Sequence, residues 1–444
     1  MRKLLVLIIF ISAAFGQALA FAYNEGTPPD LYSISFNDKG VYVIVGEKGT
    51  VMTSNNGIDY EKRRSNTEKN LNKIIWAMEK FVAVGDEGVI LTSSDGIDWS
   101  FINSPGNTDL FGLEFNGKQF VAVGSSGNVL ISEDGQEWTR IRMATMETLH
   151  EVKWVNDRYI AVGDRRLVLT STDGITWSEV MSEISTTTFY DIVWNGSKYI
   201  VVGDHMNVLL SEDGNNWIDN GEISNQTGID FSNCLYAIES GKGKLFAVGQ
   251  VGNIISSKDG LNWYEEESNT RSYLRDIVFD GNRFISVGYK GAILVSDDGY
   301  VWEDLRKINT ASSELKLQVG EETQLKMMLE YPYDIELEIT QDVLYEIKGE
   351  VFATVDENGV MKALGEGSGE LVITYDKKLK KIPLYITPNE NGPSIKPSQE
   401  DSNDTVKSGK EGNNFIVIGI VLITILVLTA VLVYFYRKIR KLHE

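Results

Sequence analysis

Arg165 and Arg166 stand side by side, and paired guanidinium groups are what a chain offers when it must grip a carboxylate or another anion bidentately. Asp86, His205, Tyr289 and Lys290 occur, like those arginines, within three residues after a recurring Val-Gly step. Arg63, Arg64, Arg140, Arg142, Arg271 and Arg275 lie in the connections between repeats, many arginines for a chain whose net charge is −21. These are candidate ligand-binding residues, and the chemistry they suggest is recognition of a polar or anionic partner. Other chemistry finds little support. His150, His205 and His443 have no metal-ligand spacing, and neither a phosphate-binding glycine loop nor a nucleophile elbow occurs. No carboxylate pair stands apart from the repeats as a glycoside hydrolase requires. The expectation is a protein without catalytic residues, metal or cofactor. Its acidity argues against nucleic acid as a partner. The one cysteine, Cys234, has no partner for a disulfide within the chain and is expected as a buried thiol.

The elements that position these residues come from an internal repeat. The Val-Gly glycine recurs at Gly46, Gly85, Gly124, Gly163, Gly203, Gly249 and Gly288. A Ser-x-Asp-Gly-x-x-Trp segment recurs with its glycine at Gly57, Gly96, Gly135, Gly174, Gly214, Gly260 and Gly299, and both series advance by steps of 39, 39, 39, 40, 46 and 39 residues. Each copy reads as four short strands with turn residues such as Asn116-Gly117 and Asn195-Gly196 between the first two. A lone four-stranded meander cannot bury both faces, so seven copies are expected to stack around an axis as a closed β-propeller over residues 28–308. Asp95, Asp134, Asp173, Asp213, Asp259 and Asp298 are expected to accept backbone amides in the turn between third and fourth strands. Trp99, Trp138, Trp177, Trp217, Trp263 and Trp302 then supply rings for burial between blades. The first copy carries Asn56 and Tyr60 instead. One carboxylate per turn falls far short of the six to eight oxygens calcium takes, so the aspartates read as staples. The opposite rim, with its variable residues after Val-Gly, is the expected ligand face.

These segments resemble the Asp-box, or BNR, repeats of sialidase-like propellers. Together with Val-Gly they are most similar to the photosystem II stability/assembly factor group, over about residues 30–308. The resemblance implies two functions to set beside binding: a sialidase-like glycoside hydrolase, and an extracytoplasmic assembly factor for membrane proteins.

Beyond the repeats, residues 312–387 alternate as strands of a small β-sandwich. Residues 353–360 carry a similarity to the group 2 bacterial immunoglobulin-like domains of intimin- and invasin-type surface proteins, which implies a spacer or adhesion module. Residues 388–413 are a polar linker expected to be disordered. Residues 414–436 are an uncharged run long enough to span a bilayer, and the basic tail at 437–444 places that end in the cytoplasm. Residues 1–20 read as a signal peptide. The expected whole is all-β apart from one C-terminal transmembrane helix: a seven-bladed propeller and an immunoglobulin-like sandwich held outside a cell membrane by a single pass. Its expected function is non-catalytic binding or adhesion to an extracellular polysaccharide or a surface protein.

Overall fold

The computed structural model describes residues 27–183, 185–222, 233–349 and 352–389; the expected signal peptide, spanning helix, basic tail and nearly all of the linker lie outside them. Among the described residues no helix is long and apolar enough to cross a membrane.

Runs rich in β-branched and aromatic residues, interrupted by glycine and asparagine turns, form strands throughout. Seven consecutive sets of four antiparallel strands make seven separate sheets, each in meander order. Blade one comprises Leu31–Phe36, Tyr42–Gly46, Val51–Ser54 and Glu61–Arg63; blade seven comprises Leu274–Phe279, Phe284–Gly288, Ile293–Ser296 and Glu303–Asp304. Each joint between neighbours holds an apolar cluster drawn from both. Val43 and Val45 of blade one meet Phe81 and Trp99 of blade two. Phe246 of blade six meets Phe284 and Trp302 of blade seven. The decisive joint is the last: Leu31 and Ile44 of blade one share a cluster with Ile285 and Val287 of blade seven. The seven sheets therefore form a closed propeller. Among the described residues closure is blade against blade with no exchanged strand, and it is reinforced where Ser33 Oγ donates to Asp276 Oδ2 at 2.7 Å and Lys290 N donates to Asp30 Oδ1 at 2.8 Å.

The repeated Val-Gly has a steric cause. A Cβ on Gly163 would stand 2.0 Å from the carbonyl oxygen of Thr148, the residue that leads into the blade's first strand. The next amide, Asp164 N, donates to that same oxygen at 3.0 Å. Only glycine lets the incoming link come this close. Gly163→Ala is expected to cost about 1–3 kcal/mol through overpacking, whereas Gly365→Ala, whose Cβ would meet nothing within 4 Å, serves as the control. Equal urea midpoints for the two variants would refute the steric account.

Ten further strands, from Lys307–Thr310 to Lys378–Thr387, form three small sheets. Leu315–Gln318 pairs in parallel with the end of the last strand, Leu315 opposite Leu384. Met327, Leu329, Leu371, Ile373 and Leu384 fill this unit, and the same cluster runs on without a break into the seam between blades one and seven. Tyr331 and Tyr333 reach the blade-seven turn at Gly291, where a Cβ would stand 1.9 Å from the Tyr333 hydroxyl. Tyr60 N of blade one donates to Pro332 O at 2.8 Å. The unit does not hang from the propeller as a separate bead; it covers the place where the ring closes.

Candidate binding site

The innermost strand of every blade carries a β-bulge at its start. In blade four Leu149 pairs with Gly163 and Glu151 with Val162, leaving His150 as the extra residue. The same shift leaves Tyr32, Asn72, Phe111, Tyr190, Tyr236 and Arg275 as the extra residue in the other blades. A bulge turns two successive side chains toward one face instead of opposite faces. Each blade thus presents a residue pair to the axis, and most of these pairs line one cavity of about 270 Å3. The outer tier is half-buried; beneath it Ser33, Glu151, Asp191 and Asp276 are buried.

The outer tier is aromatic over most of its circumference. Ring centroids run Phe111 to His150 at 5.6 Å, His150 to Tyr190 at 5.2 Å, and Tyr190 to Tyr236 at 5.1 Å. The Arg275 guanidinium continues the arc, 4.4 Å from the Tyr236 ring and 5.9 Å from that of Tyr289, which meets Tyr32 at 6.4 Å. Blade two fills the remaining gap with polar groups: Asn72 Nδ2 donates to Asp86 Oδ1 at 2.8 Å. His150 Nε2 lies 2.9 Å from Asp164 Oδ1, which fixes the imidazole and holds the Asp164 carboxyl below its ordinary range.

The floor is ionic. On the channel side the innermost strands have no neighbouring strand, so their amides need acceptors, and carboxylates of the adjacent blade supply them. Asp276 Oδ2 accepts Ile34 N at 3.1 Å, and Asp191 Oδ2 accepts Ile238 N at 2.8 Å. Lys73 Nζ lies 2.5 Å from Glu151 Oε2. Burial alone would lower the Lys73 pKa, but Asp276, Glu151 and Asp191 outweigh it and hold the ammonium well above the lysine range. Asp191 is pushed up to about 7 by burial and by Glu151, against the pull of Lys153 and Lys73. A carboxyl raised in the folded state stabilises the fold at pH below its unfolded value, roughly 3.9, and that contribution is lost as pH rises through about 7. Asp191→Asn should therefore flatten the fall in stability between pH 4.5 and 7.5. Urea unfolding at the two pH values checks this, and an unchanged difference between them would contradict it.

Of the residues expected to bind ligand, Asp86, Arg275 and Tyr289 line this cavity. Arg165, His205 and Lys290 do not; each occupies the left-handed middle position of the turn after Val-Gly, at φ 58°, 56° and 53°, and is exposed. The expected Arg165–Arg166 grip is absent. Arg166 is buried, with its guanidinium 3.2 Å from Glu183, 2.5 Å from Asp219 and over the Phe189 ring, a strut between blades four and five. Arg165 faces Glu147 at 3.5 Å. Arg275 belongs to the innermost strand of blade seven, not to a link. Cys234 is half-buried; its thiol donates to Asp204 Oδ1 at 3.0 Å and is pushed up to about 12 by burial and that carboxylate.

On the other rim the Ser-x-Asp-Gly-x-x-Trp turns are built alike. In blade two Asp95 Oδ1 accepts Ile97 N at 2.8 Å and Asp98 N at 3.0 Å, Ser93 Oγ accepts Gly96 N at 2.8 Å, and Trp99 Nε1 donates to Gly96 O at 2.9 Å. Asp134, Asp173, Asp213, Asp259 and Asp298 accept two turn amides in the same way. Gly96 needs its φ of +79° and also its missing Cβ, which would lie 2.7 Å from Val43 in blade one. Trp99, Trp138, Trp263 and Trp302 are buried, while Trp177 and Trp217 are partly so. Among the described residues no three His, Cys, Asp or Glu side chains are grouped to hold a metal ion.

No family model matches the chain, and no curated protein does. Among solved structures it is similar to YCF48 bound to D1 peptide, at 18% identity and a TM-score of 0.51 over 61% of this chain and 93% of that one. It is similar also to a catalytically inactive virginiamycin B lyase from Staphylococcus aureus with quinupristin, at 13% identity and a TM-score of 0.54 over 61% of this chain and 95% of that one. The ring is a β-propeller resembling the photosystem II stability factor, and at such identities the likeness is one of fold.

Proposed function

We infer that this chain is a membrane-anchored extracellular binding protein that receives a projecting group of a larger partner in its axial mouth and does no chemistry on it. The observation that carries the reading is the convergence of seven bulge-directed side chains, aromatic for most of the circle, on one cavity. At about 270 Å3 that cavity lies below the usual range for a pocket that engulfs a whole drug-sized ligand, so one side chain or one sugar ring of a polypeptide or polysaccharide suits it. Its carboxylates are engaged by Lys73 and by backbone amides, an arrangement suited to a fixed surface and poorly suited to proton transfer. YCF48, similar in fold and bound to D1 peptide, supports a peptide occupant. Anchoring rests on the uncharged run at 414–436 and the basic residues after it. Residues 312–387 read as an immunoglobulin-like module that stands the ring off the bilayer.

Full-length protein in detergent micelles, applied to glycan and peptide arrays, is expected to retain a defined set of probes. Tyr236→Ala should weaken that retention at least ~10-fold in protein that still unfolds cooperatively. Retention indifferent to Tyr236, or hydrolysis of a retained glycan, would overturn the reading.

A further inference from the structure

We propose that the group received by the mouth is cationic, a lysine or arginine side chain carried on an extended polypeptide. The proposal rests on the mouth being the ligand site and specifies what that site selects. The cavity lining holds four acidic residues, Asp86, Glu151, Asp191 and Asp276, against two basic ones, Lys73 and Arg275. Lys73 is held 2.5 Å from Glu151, and the Arg275 guanidinium lies against Tyr236 and Tyr289 with its Nε buried and without an acceptor. Below the floor the imbalance grows, since Glu114 and Glu239 accompany the single Lys153. Burial, with Glu151 beside it, raises the Asp191 carboxyl in spite of Lys153 and Lys73.

The route to that floor passes Phe111, His150, Tyr190 and Tyr236. Aromatic faces attract an ammonium or guanidinium while tolerating its partial desolvation. A long aliphatic stem with a charged tip matches this order of surfaces, apolar at the entrance and anionic at depth. A metal ion is the weaker candidate, because no three ligating side chains are grouped to coordinate one among the described residues. An anion would have to face the acidic excess with only Arg275 to meet it. The chain's net charge of −21 also raises the local concentration of cationic partners.

The test titrates acetylated, amidated Gly-Gly-X-Gly-Gly peptides into the full-length protein by calorimetry, with X as lysine, arginine, norleucine or glutamate. The lysine or arginine peptide should bind at least about tenfold more tightly than the norleucine peptide, and that preference should shrink with added salt. It should fall severalfold in Asp191→Asn and also in Asp86→Asn, the second variant guarding against a folding defect in the first. Equal binding of norleucine and lysine peptides, abolished by Tyr236→Ala, would overturn the cation proposal and leave the mouth as a site. Tightest binding by the glutamate peptide would overturn it in favour of anion capture by Arg275. No binding by any peptide would overturn both the proposal and a peptide-binding mouth.

Discussion

Replacing Arg306 with methionine is expected to cost ~3–5 kcal/mol of stability, because it removes the main counterion of the buried Asp304 carboxylate and of its half-buried neighbour Asp376. The Arg306 side chain is 1% exposed, and its Nη2 lies 2.6 Å from Asp304 Oδ2 and 2.8 Å from Asp376 Oδ2. Nη2 also donates to Thr270 Oγ1 at 2.9 Å, and Asp376 accepts from Thr270 Oγ1 and from Arg271 N. Lys378 Nζ adds a second cation 3.2 Å from Asp304. Burial opposes ionisation of Asp304, yet Arg306 holds its carboxyl below the usual range. Four chain segments meet at this one guanidinium: the link from blade six to blade seven, the outermost strand of blade seven, the residues that follow it, and the last hairpin of the C-terminal unit. The loss should therefore loosen the C-terminal unit from the ring seam and expose the apolar cluster beneath it. Urea unfolding of Arg306→Met measures the cost, and proteolysis should begin near residues 306–312. Methionine with Asp304→Leu should recover part of the loss, since an apolar pair of similar volume removes the stranded charge. A stable single variant, or a double variant no better than the single, would mean that the seam is held by its apolar cluster alone.

The parts of this molecule that could be read from sequence are those that geometry forces to be alike in every blade. The Asp turns recur because each third-to-fourth connection needs the same amides capped, and Val-Gly recurs because each link approaches the same carbonyl. Their spacing was enough to specify seven sheets. The rim was legible, and Asp86, Tyr289 and Arg275 with it, but most of the mouth's lining escaped detection for the opposite reason. Tyr32, Asn72, Phe111, His150, Tyr190, Tyr236 and Arg275 share only a place in the repeat, directly after the apolar residue that opens each first strand. Their identities differ because they face a cavity, not a neighbouring blade. What joins them is a bulge, a backbone event that leaves no residue signature. Adjacent basic residues were a poor guide by comparison, since Arg166 is consumed as a strut while its neighbour stays on the surface. The clasp at Arg306 was equally hidden: Asp376 lies 70 residues away along the chain, and no periodicity links the two.

Lys73 makes the mouth itself a test of these energetics. Lys73→Met is expected to destabilise the ring by ~3–5 kcal/mol near pH 8, the cost of removing one partner from a buried ionic group. Its ammonium is the near counterion of Glu151 and faces Asp191 and Asp276, with only Lys153 to share the task. The methionine stem preserves most of the packing, so the loss should be electrostatic and should reveal itself through pH. Without Lys73 the Asp191 carboxyl, already raised to about 7, should rise further. A carboxyl raised in the folded state keeps its protonated form there, so its stabilising contribution is present at low pH and is lost as pH climbs through the folded value. The gap between variant and parent should accordingly be widest at pH 8 and should narrow toward pH 5, where the floor can neutralise itself by taking up protons. Urea midpoints at those two pH values decide the matter. A gap that does not change with pH would mean Lys73 supports the ring by packing, and the anionic floor on which cation selection depends would lose its physical basis.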